Sequence, residues 1–357
     1  MKIAMIGHKR IPSREGGVEI VVEKLAERMV TQGHEVYAYN RKGHHVSGKE
    51  NDVKAVKEYK GIHIITVPTF EKKSLNAFVY SVLATIHALF QHYDVIHYHA
   101  SGSCAMLWLP RLFGIHTVAT IHGLDSQRSK WGGFASRYLQ FGERMAAKYA
   151  DELIVLSEGN RKYFKDMYGR NATLIPNGVE KPELKEAKLI LERYGLKKKS
   201  YILFLARIVP EKGLHYLIEA FKDIATDKKL CIVGGTSHFG EYVEQVVKMA
   251  EDDPRIMFLG FQQGAALEEL FSNAYLYVLP SDVEGMPISL LEAMSYGNCC
   301  VVSNIVENAD VVEDKGVTFE KSNVKSLEKE LKNLLEDERI VNMLKAESRE
   351  FITMKYN

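Results

Sequence analysis

The feature that most constrains the fold is an alternation, run twice along the chain, of short apolar runs with longer stretches of helical periodicity. In the first half the apolar runs lie at 3–7, 35–39, 62–67, 95–98, 117–121, 153–156 and 173–175, with helical patterns at 18–32, 75–91, 134–149 and 158–167 between them. Such runs suit strands buried on both faces, and the interleaved helices supply the two covering layers. The pattern stops at 177–200, where Pro176-Asn177-Gly178 signals a turn and a stretch rich in Lys and Glu follows. It then restarts. Strands are expected at 201–206, 230–233, 256–259, 275–279 and 299–303, and helices at 214–224, 242–250, 267–272 and 288–296. The tail from Lys325 reads as two charged helices. This is an α/β chain with two doubly wound, Rossmann-like domains, expected at 1–179 and from 180 onward.

Length and composition agree with that reading. A chain of 357 residues has room for two ordinary domains, and 46% hydrophobic with 26% charged residues is normal for a soluble globular protein. The four cysteines, Cys104, Cys231, Cys299 and Cys300, form no C-x-x-C pair, so neither a zinc site nor a disulfide framework is expected. A cytoplasmic setting fits, and the apolar run after Met1-Lys2 is too short for a signal-peptide core.

Net charge of +1 conceals a division. Residues 1–179 hold 24 Lys+Arg against 16 Asp+Glu, a net of +8, and residues 180–357 hold 23 against 30, a net of −7. A basic first half suits an anionic partner, such as a phospholipid surface at the inner face of the membrane or a lipid pyrophosphate. No nucleic-acid-binding module is visible, so nucleic acid is not expected as a partner. The segment 75–93 is apolar but interrupted by Asn76, Ser81, Thr85, His87, Gln91 and His92, which argues against a spanning helix. A helix buried on the sheet is the expected reading, and a helix touching the membrane surface is the alternative.

Four groups of residues carry chemistry. Glu284 and Glu292 bracket Gly285-Met286-Pro287-Ile288-Ser289-Leu290-Leu291. Pro287 marks a helix start, because its missing N–H falls among the unpaired donors of a first turn. Glu284 then lies before the helix and Glu292 inside it. N–H groups of the first turn suit a phosphate, and flanking carboxylates suit sugar hydroxyls. Glu292 alone is equally an ordinary solvated helix residue. Arg207 and Lys212 follow a predicted strand and can clamp a diphosphate, Arg as a fork and Lys as a point charge. Glu15-Gly16-Gly17 precedes a helix near Val18, which lets a phosphate or sugar approach the backbone, although a plain tight turn explains it as well. His122, in His122-Gly123-Leu124-Asp125, follows the strand 117–121, where doubly wound sheets bind ligands. His97 and His99, at another strand, are second candidates; a capping or loop role is the alternative for all three histidines and is the one expected for His97 and His99. No metal-ligand cluster is seen.

ARIVPEKG followed by EGMPISLLE, with EGG, IHGLD, LIVLSEGNRKYF, IPNGV and VSNI in order along nearly the whole chain, resembles the retaining glycosyltransferases of family 4, which have the GT-B fold. PSREGGVEIVVEKLA and TIHGLDSQRSKWGGFASRYL are similar to a bacterial branch that includes rhamnosyltransferases of polysaccharide assembly. The resemblance implies two domains facing across a cleft: an acceptor-side domain at 1–179, a nucleotide-sugar domain at 180–340, and a final segment, 341–357, that crosses back to the first. It implies that Arg207 and Lys212 bind the donor diphosphate, with Glu284 at the donor sugar hydroxyls and Glu292 at the ribose. It places Gly285, Met286, Pro287 and Ile288 against the sugar and phosphate, with Gly16 and Gly17 near the diphosphate. His122 falls near the anomeric centre with Asp125 as its partner, and Phe261 lines the base pocket.

The expected reaction is sugar transfer, with retention, from a UDP-, dTDP- or GDP-linked donor to a saccharide or polyprenyl-linked acceptor, without a cofactor or metal. Two alternatives stand beside it. One is a nucleotide-sugar epimerase or hydrolase of the same architecture, and the other is a non-catalytic sugar-nucleotide-binding protein.

Overall fold

The chain divides at Pro176/Asn177 into unit 1, Met1–Pro176, and unit 2, Asn177–Asn357. The computed structural model describes residues 1–44, 56–69, 73–124, 133–235 and 240–357. Unit 1 runs β1 (Lys2–Ile6), α1 (Gly17–Thr31), β2 (Glu35–Arg41), β3 (Glu58–Tyr59), β4 (Ile62–Val67), α2 (Lys73–Leu89), β5 (Val95–His99), α3 (Ser101–Cys104), α4 (Trp108–Leu112), β6 (His116–Ile121), α5 (Gly133–Tyr149), β7 (Glu152–Val155), α6 (Glu158–Tyr168) and β8 (Thr173–Leu174). Among the described residues its strands form one sheet in the order β3-β4-β2-β1-β5-β6-β7-β8, parallel except for the β3–β4 pair.

Strand β1 shows why this sheet needs two covers. Successive side chains point to opposite faces. Met5 packs with Val36, Ala38 and the α1 residues Val22 and Ala26 on one side. Ala4 and Ile6 pack with Tyr80, Ala84 and Ala88 of α2 on the other. Full burial of a larger side chain such as Met5, Ile6 or Val22 contributes about 1.5–3 kcal/mol relative to exposure.

Helix α2 departs from the expectation of a buried helix. Tyr80, Ala84 and Ala88 are buried, but Phe78, Leu83, Ile86 and the following Phe90 are exposed. Leu83, Ile86 and Phe90 recur at helical spacing, so the helix is apolar outward as well as inward.

Unit 2 runs α7 (Leu189–Tyr194), β9 (Tyr201–Leu205), a 3-10 turn (Pro210–Lys212), α8 (Leu214–Lys222), β10 (Lys229–Val233), α9 (Gly240–Ala250), β11 (Ile256–Gly260), α10 (Gly264–Asn273), β12 (Leu276–Leu279), α11 (Ile288–Ser295), β13 (Cys299–Ser303), α12 (Val306–Val312), β14 (Val317–Phe319), α13 (Val324–Glu336) and α14 (Glu338–Lys355). Its parallel sheet has the order β11-β10-β9-β12-β13-β14. Its core joins β9, β10, β12 and β13 to α8, α9, α13 and α14 through residues such as Phe204, Leu217, Val246, Leu331 and Val341. Helix α14 packs on α11 and β13 within unit 2. Just beyond it, the Tyr356 carbonyl accepts from the Val179 N–H at 2.6 Å.

Candidate active site

In unit 2, β9 and β12 are neighbours at the point where the strand order changes direction. Loops leaving the carboxyl ends of two such strands part, and the crevice between them is where doubly wound sheets bind ligands. The loop after β9 carries Arg207 and the 3-10 turn ending at Lys212, and the loop after β12 carries Glu284. Gly213 holds the two together. It has φ +67°, and a Cβ there would lie 2.0 Å from the Pro280 carbonyl oxygen. Only glycine allows so close an approach in that conformation. The Asp282 N–H adds a bond to the Glu211 carbonyl at 2.9 Å. As a result Lys212 Nζ meets Glu284 Oε1 at 2.5 Å, with side-chain exposures of 15% and 5%. Arg207 sits half-buried in the same loop.

Pro287 caps α11, and its carbonyl accepts from the N–H groups of Leu290 and Leu291 at 3.1 and 3.2 Å. Gly285, Met286 and Pro287 are buried, while Ile288 and Glu292 are half-buried. Glu292 is therefore not simply a solvated helix residue. Beneath the loop, the buried Tyr277 hydroxyl lies 3.2 Å from the Leu205 carbonyl and 2.9 Å from Ser289 Oγ. It ties the end of β9 to the first turn of α11. Burial pushes this phenol well above its ordinary range; the bond to Ser289 works the other way, and the charges of Cys300, Glu284 and Glu292 raise it again. One hydroxyl thus feels both glutamates. The loop is also held from the start of unit 2: Asn177 is buried, its Nδ2 donates to the Met286 carbonyl at 3.3 Å, and its N–H approaches Met286 Sδ at 3.0 Å.

Unit 1 has its own change of direction, between β1 and β5. Histidines gather there. His97 and His99 are buried within β5 rather than lying in a loop or cap, which corrects the expectation for both. Their rings stack at 4.1 Å. His97 Nε2 meets Thr120 Oγ1 at 2.8 Å, and His99 Nδ1 meets His122 Nε2 at 3.1 Å. Burial pulls His97 down to about 3, with the His122 charge adding to the effect. Burial likewise holds His99 well below its usual value, helped by His97, His122 and His8.

His8, just past β1, is also kept neutral, at about 4, chiefly by burial. Its tautomer follows from the network. Asn40 Nδ2 donates to the Ile11 carbonyl at 2.8 Å, and Asn40 Oδ1 accepts from the Ile11 N–H at 2.9 Å. His8 Nε2, 3.1 Å from that oxygen, must therefore donate.

Gly16 caps α1 and Gly17 begins it. A Cβ on Gly16 would lie 2.9 Å from Glu19 Oε2, the end of a side chain that can shift, so this contact alone does not demand glycine there. Glu15 and Glu19 are buried in this turn. Glu15 pairs with Arg10 at 2.8 Å and Lys9 at 3.5 Å. Burial works to raise the Glu19 carboxyl, but the Lys9 charge and N–H outweigh it and leave it lowered.

Two family models cover nearly the whole chain: Glycosyltransferase Family 4 matches residues 15–181, and Glycosyl transferases group 1 matches residues 187–351. The chain belongs to glycosyltransferase family 4. It is 28% identical over 288 residues to the UDP-Gal:alpha-D-GlcNAc-diphosphoundecaprenol alpha-1,3-galactosyltransferase of Escherichia coli, covering 75% of this chain and 72% of that protein. It is 29% identical over 311 residues to the GDP-mannose-dependent alpha-(1-6)-phosphatidylinositol monomannoside mannosyltransferase of Mycolicibacterium smegmatis, covering 80% and 76%. The structure of sucrose-phosphate synthase from Thermosynechococcus elongatus superposes with a TM-score of 0.81 at 21% identity, covering 100% of this chain and 95% of that one. That likeness gives the fold, two Rossmann-like domains of GT-B type.

In this glycosyltransferase, the residues singled out in sequence are distributed unevenly. Lys212, Glu284 and the start of α11 come together at the unit 2 crevice. Phe261 follows β11 at the sheet edge, two strands from β9. Asp125 lies outside the described residues. The sequence alone did not mark Tyr277 or Asn177 as site residues. Asn177 was visible only as part of a turn signal, and Tyr277 as one more apolar strand position. Among the described residues no three His, Cys, Asp or Glu side chains gather as a metal site, and no helix is long and apolar enough to cross a membrane.

Proposed function

We propose that this transferase moves a sugar, with retention at the anomeric carbon, from a nucleotide diphosphate donor to a saccharide or lipid-linked saccharide acceptor of cell-surface polysaccharide. The observation that carries this reading is the Lys212–Glu284 pair at the unit 2 crevice, beside the start of α11. A bound diphosphate brings negative charge to a place where a cation already stands, and Glu284 is close enough to share that cation with a sugar hydroxyl. Glu292, one helical turn into α11, is the residue we assign to the ribose.

As the bond from the anomeric carbon to the diphosphate oxygen breaks, a bond to the acceptor oxygen forms on the same face. The electron pair leaves with the diphosphate, which takes the acceptor's proton. Arg207, Lys212 and the α11 start stabilise that departing charge, which is the role a metal plays elsewhere. We assign Gly16 and Gly17 to the diphosphate, His122 and Asp125 to the anomeric centre and Phe261 to the base.

The names of the relatives favour a diphosphate donor and a lipid-linked acceptor: UDP-Gal with a diphosphoundecaprenol sugar in one, GDP-mannose with a phosphatidylinositol mannoside in the other. We infer peripheral contact with an anionic membrane from the basic first half and the exposed Leu83, Ile86 and Phe90. Co-sedimentation with anionic but not neutral vesicles supports that contact, and equal behaviour with both rejects it.

The test of the main reading is a thermal-shift panel of UDP-galactose, GDP-mannose and dTDP-rhamnose, followed by transfer to a diphosphoundecaprenol-linked sugar. A ligand that binds only the folded form raises its melting temperature. NMR of the product then reads its anomeric configuration. Donor turnover without acceptor favours an epimerase or hydrolase, and no binding in the panel favours neither enzyme.

A further inference from the structure

We propose that Glu307 is a specificity-determining residue for the donor sugar. Its carboxyl stands near Glu284, in the same corner of the unit 2 crevice, as a second acceptor for sugar hydroxyls. The proposal rests on the reading of Glu284 as the residue at the donor sugar. Four observations carry it.

The first is position. Strand β13 lies next to β12 and parallel to it, with Val302 opposite Leu279, so both strands end on the same edge of the sheet. The loop leaving β13 therefore runs beside the loop that carries Glu284. Glu307 lies in the first turn of α12, directly after that loop, and α12 packs on α11 as well as on β13. The second is that the corner is fixed. Ser303 Oγ donates to the Ser281 carbonyl at 2.5 Å, and Asn308 Nδ2 donates to Ser303 Oγ at 3.0 Å. One hydroxyl thus stitches the start of α12 to the loop after β12.

The third is charge. Glu284 has Lys212 as its ion-pair partner. Glu307 is half-buried, and among the described residues it has no ion-pair partner. Burial pushes its carboxyl up; its own N–H works the other way, the charges of Glu284 and Asp310 raise it again, and Lys321 lowers it. A hydroxyl that donates to Glu307 offsets a burial cost that the protein leaves largely uncompensated. The fourth is spare hydrogen-bonding capacity. Ser281 Oγ and Asn308 Oδ1, on the two loops that meet here, are buried without a hydrogen-bond partner. Such atoms are rare in native interiors and call for a partner. A carboxylate in the first turn of a helix also complements the helix dipole. That role alone predicts a lower Tm on substitution and no change in sugar binding.

Isothermal titration of the wild type, Glu307→Gln and Glu307→Ala separates the two roles. Each protein is titrated with the nucleoside diphosphate that binds, UDP, dTDP or GDP, and with its sugar-linked form from the donor panel. The bare diphosphate does not reach the sugar corner and is expected to bind all three proteins within about twofold. The sugar nucleotide is expected to bind Glu307→Ala roughly tenfold or more weakly than the wild type, as when a hydrogen bond to a charged group is lost. The loss in Glu307→Gln should be smaller, because its amide oxygen still accepts. A series of monodeoxy donors identifies the hydroxyl: its removal should weaken binding to the wild type but not to Glu307→Ala.

Equal sugar-nucleotide affinity in the wild type and Glu307→Ala, with the diphosphate still bound, overturns the proposal alone. An equal loss for the diphosphate and the sugar nucleotide overturns it too, since the effect then lies in the crevice as a whole. Binding of neither ligand by the wild type overturns it together with the reading of the crevice as a donor site. If Glu307→Ala does not fold, the deoxy series with Glu307→Gln decides: the proposal falls if no deoxy donor shows a smaller loss in Glu307→Gln than in the wild type.

Discussion

Replacing Lys212 with methionine separates the stability of the crevice from its chemistry. In the native protein Glu284 is only 5% exposed at its side chain and its Oε1 lies 2.5 Å from Lys212 Nζ. Lys212→Met keeps most of the side-chain volume and strands a shielded carboxylate. Breaking a buried pair from one side costs about 3–5 kcal/mol. For a unit of this size, each kcal/mol lowers Tm by about 2–4 °C, so the expected fall is roughly 6–20 °C. Glu284→Gln should cost less, because its amide oxygen still accepts from Lys212 and the ammonium is the more exposed partner, at 15%. The double variant should return to within about 1 kcal/mol of wild type, since no unpaired charge is left. Transfer should fall in all three, by on the order of a hundredfold or more where the stabilising cation is gone. Urea and thermal unfolding followed by circular dichroism give the stabilities, and product formation gives the activity. A Lys212→Met protein that melts within about 2 °C of wild type, or a double variant no more stable than it, refutes the shielded pair.

Three further outcomes follow from the same geometry. Gly213→Ala puts a Cβ 2.0 Å from the Pro280 carbonyl at φ +67°, and should cost on the order of 1–3 kcal/mol while weakening donor binding; a wild-type Tm with intact binding contradicts the close approach. Asn177→Ala removes the donor to the Met286 carbonyl, for a loss of about 1 kcal/mol, and should raise KM for the donor more than it lowers kcat. Acid should destabilise unit 1. His8 and His97 titrate near 6.5 when unfolded but only at about 4 and about 3 when folded. As pH falls below 6.5 the unfolded chain takes the proton first, so stability present above that pH is lost, by on the order of 3 kcal/mol for His8 by pH 4. His8→Gln should flatten the slope of unfolding free energy between pH 6.5 and 4, and an unchanged slope counts against the buried neutral ring.

Much of this was legible in the sequence because a parallel sheet writes itself as apolar runs separated by amphipathic helices. The runs at 3–7 and 201–206 became β1 and β9 almost residue for residue. What escaped was short. Strand β14 has three residues and β3 two, too few to display any period. Helices α3 and α4, four and five residues long, were invisible for the same reason. In the site, Lys212 and Glu284 each stood out as a charge beyond a strand, but they are 72 residues apart and their contact depends on β9 lying beside β12. No local pattern encodes that neighbour relation. A run ending at residue 98 puts His99 in a loop or cap, whereas β5 continues to His99 and aligns it with β6. For α2, the sequence showed an apolar helix, and only the structure shows which side of it the sheet covers.

The central claim is that the unit 2 crevice holds a nucleotide diphosphate. Isothermal titration of UDP, dTDP and GDP into the wild type, Lys212→Met and Glu292→Gln tests it most directly. One of the three diphosphates should bind the wild type, with affinity falling roughly tenfold or more in each variant as a charged hydrogen-bonding group is lost. No binding by the wild type, or equal affinity in all three proteins, would contradict it.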